Sequence, residues 1–205
     1  MKIGIIGSGM IGGTTARLLA GAGHEVAIGN SRGPESLADL VATFGPRAQA
    51  VTAEAAARFG EVVLLALPFR ALDGLPPADA FAGKIVVDAT NPYAPGGGIL
   101  DLGGRTSSEV VAWHLPADAR LVKAFNTLYF ETLATGGARQ DGRLVLFVAG
   151  DDEDAKAVVS GLIEEIGFEP LDTGGLVEGG RRQEPDRPIY NKPLTRAEAE
   201  TLLSG

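Results

Sequence analysis

Lys2-Ile-Gly-Ile-Ile-Gly-Ser-Gly-Met-Ile-Gly-Gly-Thr-Thr-Ala-Arg-Leu-Leu-Ala20, continued by Glu25-Val-Ala-Ile-Gly-Asn-Ser-Arg32, decides how this chain folds. Lys2–Gly7 is an apolar run of strand length, the residues after Gly12 carry apolar side chains at helical spacing, and Glu25–Gly29 is a second apolar run. Strand, glycine turn, helix and strand in that order give Gly7-x-Gly9-x-x-Gly12 its meaning as a dinucleotide cradle, with Ser8, Met10 and Ile11 between the glycines. Gly7 turns the chain tightly off the strand, where a side chain would force strain. Gly9 removes the side chain that would hold a pyrophosphate away from the backbone, and Gly12 lets the helix lie close on the sheet. The unpaired amides at the helix start, backed by the positive end of its dipole, then face the phosphates.

The end of the second strand bears on which dinucleotide is bound. NAD-binding proteins usually place Asp or Glu there for the ribose hydroxyls. Here the chain has Asn30, Ser31 and Arg32. A hydroxyl and a guanidinium suit a phosphate on that ribose, through charge-assisted hydrogen bonds, where a carboxylate would repel it. NADP(H) is the expected cofactor.

With 205 residues, 45% of them hydrophobic, the chain can bury one sizeable core and a small second lobe. The formal net charge of −8 argues against nucleic acid or an anionic membrane as partner, so phosphate binding has to come from local geometry. The absence of cysteine removes disulfides, thiol nucleophiles and cysteine metal sites, and two histidines make metal dependence unexpected. Lys2 and the run after it resemble a leader, but the glycines break any apolar helix there. No stretch approaches membrane-spanning length, and the expectation is a cytoplasmic protein.

Further along, helices are expected at Pro34–Phe44, Ala53–Phe59, Thr106–His114, Leu128–Ala134 and Ala155–Ile166. Strands are expected at Ala48–Thr52, Glu61–Leu67, Lys84–Thr90, Arg120–Ala124, Leu144–Val148 and Phe168–Leu171, several of them apolar enough to be covered on both faces. Asp151–Asp154 reads as the acidic first turn of a helix. A helix near Leu176–Gln183 is doubtful because of Gly179 and Gly180, whereas Thr195-Arg-Ala-Glu198 is a capping box that opens a last short helix. The alternation implies an α/β fold: a Rossmann-like, doubly wound, mainly parallel sheet with a small C-terminal lobe. Residues 1–150 would form the NADP-binding domain and 151–205 an α/β extension. In such sheets ligands sit beyond the carboxyl ends of the strands. The glycine turn, Leu67-Pro68-Phe69, Thr90-Asn91-Pro92-Tyr93 and Phe125-Asn126-Thr127 would share that rim, the cofactor along the first of them and a second substrate near Pro92, Tyr93, Phe125 and Thr127.

Gly7–Gly12, Gly29-Asn-Ser-Arg32, Ala66-Leu-Pro-Phe69, Asp88-Ala-Thr-Asn-Pro92 and Val122-Lys-Ala-Phe-Asn-Thr127 together resemble the NADP oxidoreductases dependent on the deazaflavin coenzyme F-420 (F420), and the bacterial dinucleotide-binding reductases related to them. The resemblance spans nearly the whole chain. It implies hydride transfer between the nicotinamide of NADP(H) and a deazaflavin or flavin, Ser31 and Arg32 on the ribose phosphate, Leu67, Pro68, Asn91 and Asn126 bordering the nicotinamide, and a homodimer formed through C-terminal helices. Gly180, Arg182, Gln183 and the Pro188–Thr195 segment depart from the family pattern and leave the second substrate open.

Hydride transfer to a carbonyl would also need a proton donor. Tyr93, on a loop over the presumed site, and Lys123, two residues before Phe125 and so on the same strand face, are the candidates. Asp88 reads as a structural carboxylate, His24 as a solvated turn residue and His114 as a helix-end partner. No catalytic triad, carboxylate pair or metal cluster emerges, which suits transfer between two cofactors whose rings carry the chemistry. A reductase of a small carbonyl or imine metabolite, and a non-catalytic NADPH-sensing module with the 94–104 glycine loop as its switch, are the alternatives.

Overall fold

The computed structural model describes residues 1–140 and 142–204. Its chain order is β1 (Lys2–Ile6), α1 (Met10–Gly21), β2 (Glu25–Asn30), α2 (Ala38–Ala42), β3 (Ala48–Thr52), α3 (Ala53–Phe59), β4 (Val62–Leu65), β5 (Ile85–Asp88), α4 (Ser107–Ala112), β6 (Arg120–Ala124) and α5 (Phe130–Ala134). A short hairpin, β7 (Ala138–Arg139) and β8 (Gly142–Arg143), precedes β9 (Val145–Gly150), α6 (Glu153–Glu165), β10 (Glu169–Asp172), α7 (Glu178–Arg182) and α8 (Arg196–Leu203).

Eight strands form one sheet in the order β10-β9-β6-β5-β4-β1-β2-β3, and every neighbouring pair is parallel except β6 with β9. Read from β3, the first six strands run 3-2-1-4-5-6, the dinucleotide-binding order, and direction of travel reverses between β1 and β4. That switch point lies where the glycine turn leaves β1. Residues 151–204 attach to the sheet through β10, which pairs with β9.

The strands alternate between two apolar layers. Ile3, Ile5, Val62, Leu64, Ile85 and Val87 pack on the face that carries α1 and α6, and Ile6, Val63, Leu65 and Val86 on the other. Burial of both faces explains why β4 and β5 read as continuous apolar runs.

Several elements depart from the sequence expectation for identifiable reasons. The Pro34–Phe44 helix starts as a 3-10 turn, Pro34–Leu37, and becomes α-helical only over Ala38–Ala42. A 3-10 turn also follows Pro68, over Phe69–Gly74. The doubtful helix forms over Glu178–Arg182 despite Gly179 and Gly180. Gly179 is required there, because a Cβ would stand 2.8 Å from the Thr173 carbonyl carbon and 2.9 Å from the Ala149 Cβ. Asp152 caps α6 by accepting from the Ala155 amide, so the acidic run is a helix start. Both Thr106 and Thr195 form full capping boxes.

Candidate functional site

The glycine turn has the geometry that a bound phosphate requires. Gly7 sits at φ 109° and packs so tightly on β4's extension that a Cβ would lie 2.1 Å from the Ala66 carbonyl oxygen. A Cβ on Gly12 would lie 2.0 Å from the Gly7 carbonyl oxygen, so this glycine fixes α1 against the turn itself. Gly9 differs: nothing stands within 4 Å of where its Cβ would be, and no side chain caps the first amides of α1. Open space in front of uncapped helix amides is what a pyrophosphate needs.

Asn30, at the end of β2, braces the turn. Its Nδ2 donates to Ser8 Oγ at 2.9 Å and to Ser36 Oγ at 3.1 Å, while its Oδ1 accepts from the Arg32 amide at 2.9 Å. The same residue therefore sets the glycine turn and the Ser31-Arg32 corner relative to each other. Arg32 is exposed, and among the described residues its guanidinium has no ion pair. Ser8, Gly9, Asn30, Ser31, Arg32 and Pro68 all line one cavity of about 510 Å³, within the range of small-molecule sites.

That cavity continues along the carboxyl edge of the sheet. Gly9, Leu67 and Pro68 also line a second cavity of about 500 Å³, together with Met10, Phe69 and Asn91. Met10, Ile11, Asn91 and Tyr93 lead from it into a third, about 300 Å³, closed by Asn126, Leu128, Tyr129 and Tyr190. The three form a groove from Arg32 past the switch point to Tyr190. It contains every residue assigned to the cofactor from the sequence except Gly12, whose role is packing, and it contains Tyr93.

Other sequence candidates are placed elsewhere. Pro92, Phe125 and Thr127, expected on the substrate side, are buried and line none of these three cavities. Phe125 has φ 65°, a left-handed conformation that breaks the alternation of β6 and turns the ring into the layer below α1 and α6. Lys123 consequently does not share a face with Phe125. It is 0% exposed and lies under α4, with Nζ 3.0 Å from Asp88 Oδ2, 2.5 Å from the Thr90 carbonyl and 3.2 Å from Ser107 Oγ. All three of its donors are engaged, and Lys123 lines none of the three cavities. Asp88, its register partner on β5, also accepts from the Thr90 amide and from the Thr90 and Ser108 hydroxyls, and so holds the turn that presents Asn91. His24 is not solvated: it is buried, with Nε2 2.6 Å from Glu165 Oε2. Among the described residues no group of three or more His, Cys, Asp or Glu side chains could hold a metal ion, and no helix is long and apolar enough to cross a membrane.

Sequence reasoning left Tyr190 without a role. Its hydroxyl lies 3.0 Å from that of Tyr93 and 3.1 Å from Asn91 Nδ2, and Asn126 Nδ2 bridges Asn91 Oδ1 and the Gln183 carbonyl. Burial, reinforced by the hydrogen bond to Tyr93, pushes the Tyr190 hydroxyl well above the usual phenol range, so it stays protonated. The only signal in the sequence was an aromatic residue between Pro188 and Pro193 in a segment without periodicity.

The chain is similar to known proteins in sequence and in fold. Residues 2–92 match the family model described as NADP oxidoreductase, coenzyme F420-dependent. A solved structure of a hypothetical protein from Sinorhizobium meliloti is 37% identical, with a TM-score of 0.85 over 96% of this chain and 95% of that one. A candidate F420-dependent NADP reductase from Arthrobacter is 26% identical, with a TM-score of 0.79 over 96% of this chain and all of the other. The metalloreductase STEAP3 of Rattus norvegicus is 37% identical over 179 residues, 85% of this chain. The chain spans about a third of the length of that curated relative, 34%. Residues 2–92, which hold the glycine turn and the Asn30–Arg32 corner, thus resemble the NADP oxidoreductases described as coenzyme F420-dependent, and the structural likeness to a candidate member extends over 96% of the chain.

Proposed function

We propose that the protein is an NADPH-dependent reductase that passes hydride from the nicotinamide to a flat redox ring, a deazaflavin such as F420 or a flavin. The observation that carries this reading is the groove: phosphate-binding features at one end, an aromatic hollow at the other, and no carboxylate, histidine or lysine side chain among the residues that line it. NADPH, when bound, supplies the hydride; the chain supplies position and exclusion of water. The α1 amides and Gly9 take the pyrophosphate, and Ser31 and Arg32 grip the ribose phosphate. Leu67 and Pro68 back the nicotinamide. Met10 and Tyr129, both largely exposed at the groove's mouth, offer polarisable and flat surface to the second ring.

Mixing the protein anaerobically with NADPH and either FMN or a 5-deazaflavin tests this. The expected result is loss of both the NADPH and the ring absorbance. Tight NADPH binding with no reduction of either ring would contradict it. A second reading, reduction of a small carbonyl or imine, is favoured by the paired hydroxyls of Tyr93 and Tyr190 at the far end of the groove. A panel of aldehydes, ketones and cyclic imines in the same assay discriminates the two, and binding without turnover on any acceptor would point to an NADPH sensor.

A further inference from the structure

Tyr93 and Tyr190 hold a proton that the protein itself does not use. The Asn126 backbone carbonyl can only accept, and it lies 3.0 Å from one end of the Asn91 amide, which is thereby Nδ2. The other end, Oδ1, accepts from Asn126 Nδ2 at 3.0 Å. The second N–H of Asn91 Nδ2 is directed at Tyr190 Oη, 3.1 Å away, so that oxygen accepts. Two phenols carry two protons. One is spent in the 3.0 Å bond between the hydroxyls. The other has no acceptor among the described residues, whichever tyrosine carries it, and both hydroxyls belong to residues that line the far cavity.

We propose that the Tyr93–Tyr190 pair donates this hydrogen bond to the hydride acceptor, at the oxygen or nitrogen that becomes electron-rich as hydride arrives. The proposal rests on the hydride-transfer reading and narrows its substrate: an acceptor with a carbonyl oxygen or imine-type nitrogen conjugated to the atom that takes the hydride, as in the flavins and deazaflavins. Hydride moves two electrons and one proton from NADPH, leaving NADP⁺, and gives the acceptor one negative charge that a proton from water then neutralises. The pair transfers no proton. It offers a neutral donor aimed where charge develops, and the arrangement costs no reorganisation because Asn91 at the end of β5, Asn126 at the end of β6 and the Gln183 carbonyl already fix it. The raised pKa of Tyr190 agrees with a donor that remains protonated.

The test uses Tyr190→Phe and Tyr93→Phe in the full chain, with NADPH and either FMN or a 5-deazaflavin. Kd for NADPH is read by its fluorescence, and the visible band of the oxidised ring reports the hydrogen bond. Losing an oxyanion-type donor costs about 100-fold to 1,000-fold in enclosed sites, and in this more open groove Tyr190→Phe is expected to lower kcat about tenfold or more. The same variant should leave the NADPH Kd unchanged and remove the band shift seen when the ring binds the wild type. Tyr93→Phe should lower kcat less, since Tyr190 stays oriented by Asn91 and keeps its proton. If the wild type reduces the ring and Tyr190→Phe reduces it equally fast, the pair has no such role and hydride transfer stands without it. Equal weakening of NADPH binding in Tyr190→Phe would make the residue structural and overturn the proposal. A wild type that binds NADPH but reduces neither ring overturns the functional reading, and this inference with it.

Discussion

At the scale of single residues, Gly9 and Gly12 separate ligand binding from folding. Gly9→Ala meets no protein atom within 4 Å and has ordinary backbone angles, so melting is expected to be unchanged while NADPH affinity falls. Gly12→Ala drives a methyl to 2.0 Å from the Gly7 carbonyl oxygen and should lower stability, by about 1–3 kcal/mol on the usual scale of overpacking. Denaturant melts and an NADPH titration of both variants read the difference. Lys123→Met leaves Asp88 buried without its cation and should cost about 3–5 kcal/mol in the same melts. The glycines were legible because their spacing states a backbone requirement. Lys123 and His24 were not, since their partners Asp88 and Glu165 are distant in sequence and only the sheet register and the packing of α6 bring them close. The left-handed Phe125 concealed which face Lys123 takes.

At the scale of elements, helix propensity was overridden once, in α7. Its two glycines weaken an isolated helix, but close packing on β9 requires the first of them. Gly179→Ala should destabilise by about 1–3 kcal/mol, as overpacking does. Gly180→Ala, with nothing within 4 Å of its Cβ, should be neutral or stabilise by up to about 1 kcal/mol. Opposite signs at adjacent positions, read by thermal melts, check the packing account. Elements with strong local signals were legible at nearly their true bounds: β3, α3, β6 and the capping box of α8. The hairpin β7–β8 was not, because two-residue strands carry no periodicity.

At the scale of the whole molecule, the strand order turns separate loops into one groove. The sequence displays the polar strand ends, but not that β1 and β4 are neighbours or that the 188–191 segment returns to the rim with Tyr190. It displays Ser31 and Arg32 at the end of β2, and these carry the central claim: a dinucleotide lies along the groove with its ribose phosphate at that corner. The most direct test is a titration of wild type and Arg32→Ala with NADPH and with NADH. Wild type should prefer NADPH, and Arg32→Ala should lose about 1.5–3 kcal/mol of NADPH binding, the worth of a charged hydrogen bond, with NADH little affected. Equal losses for both nucleotides, or a wild type that binds neither, would contradict the account.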